Sequence, residues 1–257
     1  MPRMSMLVVL LSGCAVSTTV TAARTSPQLV ATSRALPAVP SRSVLVLSAL
    51  TLESVSAELV FSPCSLGPAA CATRGLELQL ATREAERVLF DAGWEPLTQA
   101  QVAHLVVSSP VARGLRELLA RGQATLLEAA VLLVSASTAE VVVVVSDWRP
   151  GFVTSQAQAT GYTLCPLAGF LEMAAHDKQG RQLWEGRVTV QSTDTADVSL
   201  TATNSDASLM PPGLACATRA GCGECVGPVD PRESQTLIGR ASHLLTTELL
   251  ARRPVVP

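Results

Sequence analysis

Lysine is nearly missing from this chain. Lys178 is the only one, and arginine supplies the rest of the 19 basic residues. The arginines are scattered among 21 acidic residues, for a net charge of −2, and they form no basic block. A nucleic-acid surface needs phosphate-neutralising cations gathered on one face, so nucleic acid is excluded as a partner class. Aromatics are scarce too, at 3%, with Tyr162 the single tyrosine, which leaves Ala, Val and Leu to make up most of the 48% hydrophobic content. Beyond the first dozen residues no run of eighteen apolar residues occurs, which excludes a later membrane-spanning helix. The most apolar stretch, 126–145, is broken by Glu128, Ser135, Ser137, Thr138 and Glu140. It fits a buried helix followed by a buried strand.

Signatures of catalysis are missing as well. His104, His176 and His243 have no metal-ligand spacing with one another or with a cysteine. Ser146, His243 and Asp147 make a triad on paper, but no nucleophile-elbow motif surrounds the serine. Gly221-Cys222-Gly223 lacks the lysine and following helix of a phosphate-binding loop. Glu128 and Glu140 read as solvated or capping carboxylates, and a pair suited to glycoside hydrolysis stays open as an alternative. The expectation is a protein without cofactor or metal that is not an enzyme.

What is present begins at the N-terminus. Met1-Pro2-Arg3 is a positive start, residues 4–11 are short and mostly apolar, and Leu11-Ser12-Gly13-Cys14 closes the run. These are the parts of a secretory signal. The tetrapeptide resembles the bacterial lipobox, which implies cleavage after Gly13 and lipidation of Cys14. Each acyl chain contributes about 0.8 kcal/mol per buried CH₂, so several chains anchor a water-soluble body stably. Ala15, where an Asp would resemble an inner-membrane retention signal, points to the periplasmic face of the outer membrane. Residues 15–42 are rich in Ser, Thr, Ala and Pro without a sustained period and read as a flexible tether.

Six cysteines follow Cys14: Cys64, Cys71, Cys165, Cys216, Cys222 and Cys225. An even count suits disulfides in an oxidising compartment, with fifteen pairings open. Pro63, Gly67 and Pro68 mark a loop that a Cys64–Cys71 bridge would close. Zinc held by Cys165, Cys216, Cys222 and Cys225 is the rival reading, weakened because only one close pair is present.

The pattern downstream predicts a buried strand over 43–52, a helix over 76–92 ended by Gly93, and short strands at 94–97 and 102–107. A helix is expected from Ser109-Pro110, and another from Thr125 to about Ser135. Five consecutive valines in 140–147 predict a central strand covered on both faces. Residues 163–175 and 182–191 read as a hairpin around the turn 176–180. Residues 192–233 read as an insertion pinned by disulfides, and 233–250 as a closing helix. The fold class is α/β, a single small sheet flanked by helices, with residues 1–13 as signal peptide, 14–42 as anchor and tether, and 43–252 as the folded domain.

Three features of this order resemble a group of periplasmic lipoproteins that includes activators of penicillin-binding proteins and the curli-secretion lipoprotein. They are the helix end Ala92-Gly93-Trp94, the step from Ser137-Thr138-Ala139 into Val141–Val145, and the hairpin running from Asp177-Lys178-Gln179-Gly180 to Trp184-Glu185-Gly186. The cysteine-bearing loops and the 192–233 insertion depart from that pattern. The resemblance implies a lipid-anchored, non-enzymatic binding or assembly module of an envelope complex, with a protein partner and possible oligomers. An enzyme acting on cell-wall material and an oligomeric structural or pore lipoprotein are the alternatives. Trp184 is expected to be a core or hairpin-covering aromatic.

Overall fold

A computed structural model of the chain describes residues 17–22, 26–33, 42–48, 68–108, 114, 126–152, 155–156, 163–164, 166–192, 198–203 and 229–252. The elements run β1 (Ser17–Ala22), β2 (Gln28–Ser33), β3 (Ser43–Ser48), α1 (Pro68–Asp91), β4 (Glu95–Pro96), α2 (Gln99–Ser108), α3 (Leu126–Ala136), β5 (Val141–Phe152), β6 (Ser155–Gln156), β7 (Thr163–Leu164), β8 (Leu167–Asp177), β9 (Gln182–Gln191), β10 (Val198–Thr203) and α4 (Pro231–Ala251). Six strands form one mixed sheet in the order β2-β9-β8-β5-β3-β4. β3 is parallel to β4 and β5, and β8, β9 and β2 continue the sheet antiparallel. This is the expected α/β architecture.

The valine strand is central, as its composition requires. Val141, Val143 and Val145 face a core shared with α1 and α4, through Leu78, Ala81, Ala85 and Leu89 on one helix and Leu237, Ile238, Ala241 and Leu245 on the other. Val142 and Val144 face the opposite side, where Ala129, Ala130, Leu133 and Val134 of α3 and Val102 of α2 cover them together with Leu45 and Leu47. Period-two alternation thus sends successive valines into two separate cores.

The helix ends follow local chemistry. Gly93 takes a φ of 80°, Trp94 N–H donates to the Leu89 carbonyl at 3.0 Å, and Gly93 N–H donates to Phe90 at 2.8 Å. These two bonds are a Schellman stop, which needs a residue at ease in the left-handed region. At α4, the Asp230 side chain accepts from Arg232 N–H at 2.9 Å and Pro231 fills the first turn.

Several expectations need correcting. Residues 102–107 are helical within α2, not a strand. Thr98 and Gln101 cap that helix reciprocally: Gln101 N–H donates to Thr98 Oγ1 at 3.3 Å, and Thr98 N–H donates to Gln101 Oε1 at 2.7 Å. The tether reading of 15–42 fails at 17–22 and 28–33, which are β1 and β2, because edge strands need only one partner's ladder and little apolar content. β2 pairs with β9, and β1 pairs with β10 from inside the 192–233 insertion. α1 begins at Pro68, so Cys71 sits in a helix and not in a loop. The helix expected from Ser109 lies outside the described residues apart from Gly114.

Candidate functional site

Among the described residues, the helices cover the two faces of the sheet unequally. On one face α1 and α4 pack across strands from β3 to β9. On the other, the second core stops at β3 and β5. Beyond it, β8 presents Glu172, Ala174 and His176, and β9 presents Glu185 and Arg187. The register sets Glu172 opposite Arg187 and Ala174 opposite Glu185, and directly opposed residues of an antiparallel pair share a face. Between this open strip and α3 lies a concavity of about 410 Å³. Leu127 and Val144 make its apolar side, and Glu172, Gln182, Glu185 and Arg187 its polar side.

A β-bulge shapes the rim. Val145 pairs with Met173 and Asp147 with Glu172, so Ser146 is the extra residue between them. It is exposed and lines the concavity. Past the bulge, the Arg149 guanidinium lies 5.6 Å from the centre of the Phe170 ring.

The polar side is organised around Arg187. Its Nε is 2.8 Å from Glu172 Oε1 and its Nη2 is 2.7 Å from Glu185 Oε1. Gln182 donates to the other Glu185 oxygen at 2.8 Å. The hydrogen bonds from Gln182 and Arg187 hold the Glu185 carboxyl below its ordinary pKa. His176 is 6% exposed. Burial pushes its pKa below the usual imidazole value, against a backbone hydrogen bond at Gly180 and the carboxylates of Asp177 and Glu185. Its Nδ1 is buried and has no hydrogen-bond partner among the described residues. A buried imidazole, carboxylates straddling a guanidinium, and an apolar wall together suit recognition of an amphipathic surface.

The hairpin turn fixes this strip. Asp177 Oδ1 accepts from Gln179 N–H and Arg181 N–H, each at 2.9 Å. Burial opposes the Asp177 charge, but these bonds and the Arg181 side chain hold its pKa low. Gly180 has a φ of 76° and lies against Val131 of α3, so the turn and the helix meet at the groove's end.

Of the residues singled out in the sequence, Ser146 and Asp147 lie on β5 at the bulge. His243 lies on α4, over the opposite face, with Nδ1 3.2 Å from Glu84 Oε1. The paper triad is therefore not assembled. His104 is exposed on α2. Glu128 is exposed in the first turn of α3, and Glu140 is 3.0 Å from the Lys178 ammonium. Trp184 is buried in the core, as expected. Cys14, Cys64, Cys165, Cys216, Cys222 and Cys225, with the disulfides and the zinc site read on them, lie outside the described residues, and so does the Cys71 side chain. Among the described residues no cluster of three metal-ligating side chains occurs, and no helix is long and apolar enough to cross a membrane. The groove residues Glu172, Gln182, Glu185 and Arg187 were not singled out by sequence. Their signal is the alternation Glu172-x-Ala174-x-His176 and Glu185-x-Arg187, which by itself reads as an ordinary solvated strand face.

No family model matches the chain, and no curated protein matches it. Among solved structures, the PelC dodecamer from Paraburkholderia phytofirmans is similar at a TM-score of 0.29 and 13% identity, over 84% of this chain and 96% of that one. A TM-score this low supports no inference about fold or function.

Proposed function

We propose that this protein is a lipid-anchored, non-enzymatic binding module on the periplasmic face of the outer membrane, and that it docks a protein partner of an envelope complex on the open half of its sheet. The lipobox-like Leu11-Ser12-Gly13-Cys14 after a basic start and an apolar run supports the anchor. The single observation that carries the docking site is the uneven cover of the sheet among the described residues, which leaves a groove of about 410 Å³ beside the Arg187 ion cluster. Exposed Val30 of β2, opposite Arg187 in the register, and exposed Leu127 of α3 give the strip an apolar component on either side. Aliphatic contacts beside charged groups are how partner surfaces combine burial with specificity.

The test is site-specific photo-crosslinking of the full-length chain in membranes. A crosslinking residue at Leu127 or Thr189 should give one discrete adduct, and the same residue at Arg83, on the far side of the molecule, should give none. The adduct should weaken with Arg187→Gln. Equal adducts at all three positions, or none at any, would refute docking on this face.

A further inference from the structure

One nitrogen of His176 is left over. The ring lines the groove beside α3 and is 6% exposed. It makes a backbone hydrogen bond at Gly180 that favours the protonated form, so the ring is the donor. The Gly180 N–H is already given to the Asp177 carbonyl at 2.9 Å, which leaves the Gly180 carbonyl as acceptor. Nδ1 is buried without a partner among the described residues, so the donating nitrogen is Nε2. The unprotonated ring, with its proton on Nε2, therefore presents Nδ1 as an acceptor. A buried acceptor without a donor costs about 1–3 kcal/mol. An occupant that brings a donor recovers that cost.

The surroundings select the donor. Ala174 alone separates His176 from Glu172 along this face of β8, and Glu185 stands opposite Ala174 on β9. Glu185 is near enough for its charge to act on the imidazole. The described lining carries the carboxylates of Glu172 and Glu185 against the single guanidinium of Arg187, one negative charge in excess. Arg187 holds the two carboxylates through separate nitrogens and so fixes their spacing. Glu185 takes one bond from Arg187 and one from Gln182, and a carboxylate accepts about four. Leu127 and Val144 supply an aliphatic wall. An anion would face both carboxylates, and an apolar group would leave Nδ1 unpaired. A cationic N–H donor on an aliphatic stem suits the wall and the acceptors together. Arginine has that form, with N–H groups in a planar fork that reaches two acceptors at once.

We propose that the envelope partner inserts an arginine side chain into this groove, its stem along Leu127 and its guanidinium donating to His176 Nδ1 and to the Glu185 carboxylate. The proposal rests on the reading of the groove as the docking surface.

The test uses the full-length chain labelled with nitrogen-15 at histidine and two probes, N-acetyl-arginine amide and N-acetyl-citrulline amide, which match in shape and differ in charge. At about pH 8 the imidazole is unprotonated, and NMR reads Nδ1 directly, with His176→Gln assigning its signal. The arginine probe should move the His176 Nδ1 resonance upfield to saturation and leave those of His104 and His243 in place. Its Kd should lie about fivefold or more below that of the citrulline probe, roughly the worth of one partly exposed ion pair. Glu185→Gln should erase that preference, and Asp91→Asn, on α1 over the opposite face, should keep it. The comparison of probes on the parent chain decides the matter even where Glu185→Gln fails to fold. Equal affinity for the two probes, or an Nδ1 resonance that neither moves, overturns the proposal. The photo-crosslink at Leu127 keeps the two readings apart. An adduct that a saturating arginine probe does not compete away refutes the arginine alone, and the absence of any adduct refutes docking and the arginine with it.

Discussion

The Trp148 indole on β5 fills the space above Gly169 of β8, where any Cβ would fall inside the ring. The same indole donates from Nε1 to Ser234 Oγ of α4 at 3.4 Å, and Ser234 in turn donates to the buried carboxylate of Glu77 on α1. One aromatic thus ties the central strand to both helices of the larger core. Gly169→Ala should lower stability by about 2 kcal/mol or more, since an overpacked core must shift a side chain or strand. Gly151→Ala, with nothing within 4 Å of its added carbon, should stay within about 0.5 kcal/mol of the parent. Urea unfolding of the three proteins checks this.

Gly239 lies inside α4 with open space where a Cβ would go. Glycine in a helix costs about 0.5–1 kcal/mol relative to alanine. Gly239→Ala should raise the thermal midpoint, measurable by circular dichroism.

The turn at 177–181 should be sensitive at two positions. Gly180→Ala places a side chain at a φ of 76° and 3.2 Å from Val131, so it should cost about 1–2 kcal/mol. Asp177→Ala removes the acceptor of two backbone N–H groups and should cost about 1–2 kcal/mol. Both losses should show in chemical denaturation, with hydrogen exchange rising first at 178–181.

His176 predicts a pH dependence. Its folded pKa is lowered, first by burial. The unfolded chain takes a proton on this ring near its ordinary pKa of about 6.5, and the folded chain takes it only at lower pH. Below about 6.5 the unfolded state therefore binds more protons, and stability is lost as pH falls through that value. The carboxylates with lowered pKa, Glu84, Asp177 and Glu185, lose their contribution only below about pH 4.5. Thermal midpoints between about pH 5 and 7.5 should fall on acidification, and His176→Gln should flatten that slope.

Arg187 is half exposed, and its pairs with Glu172 and Glu185 lie at the surface. Such pairs are worth about 0–1 kcal/mol. Arg187→Gln, which removes the charge without adding a third carboxylate beside Glu172 and Glu185, should therefore change the unfolding midpoint little while weakening partner crosslinking, which separates a binding role from a structural one.

Much of the scaffold was legible because its signals are local. Five valines in a row could only be a strand buried on both sides, Gly93 stops α1 where expected, and Asp177 with Gly180 marks the hairpin. α2 misled because Val102, Leu105, Val106 and Val107 read equally as strand and helix. The cap formed by Thr98 and Gln101, visible in the sequence as Thr-x-x-Gln, was the deciding signal. β1 and β2 escaped because short Ser/Thr-rich edge strands take their conformation from a distant partner. The groove escaped for a related reason. Glu172 and Arg187 look like any solvated alternation until the placement of α2 and α3 shows which half of the sheet the described helices leave uncovered.

The most direct measurement is the intact mass of the mature protein extracted from membranes. It should correspond to a chain that begins at Cys14 and is heavier than its sequence by a diacylglycerol and an amide-linked acyl chain, and Cys14→Ser should remain unprocessed and unlipidated. A mature chain of unmodified mass, or one cut elsewhere than before Cys14, would contradict the anchored module outright.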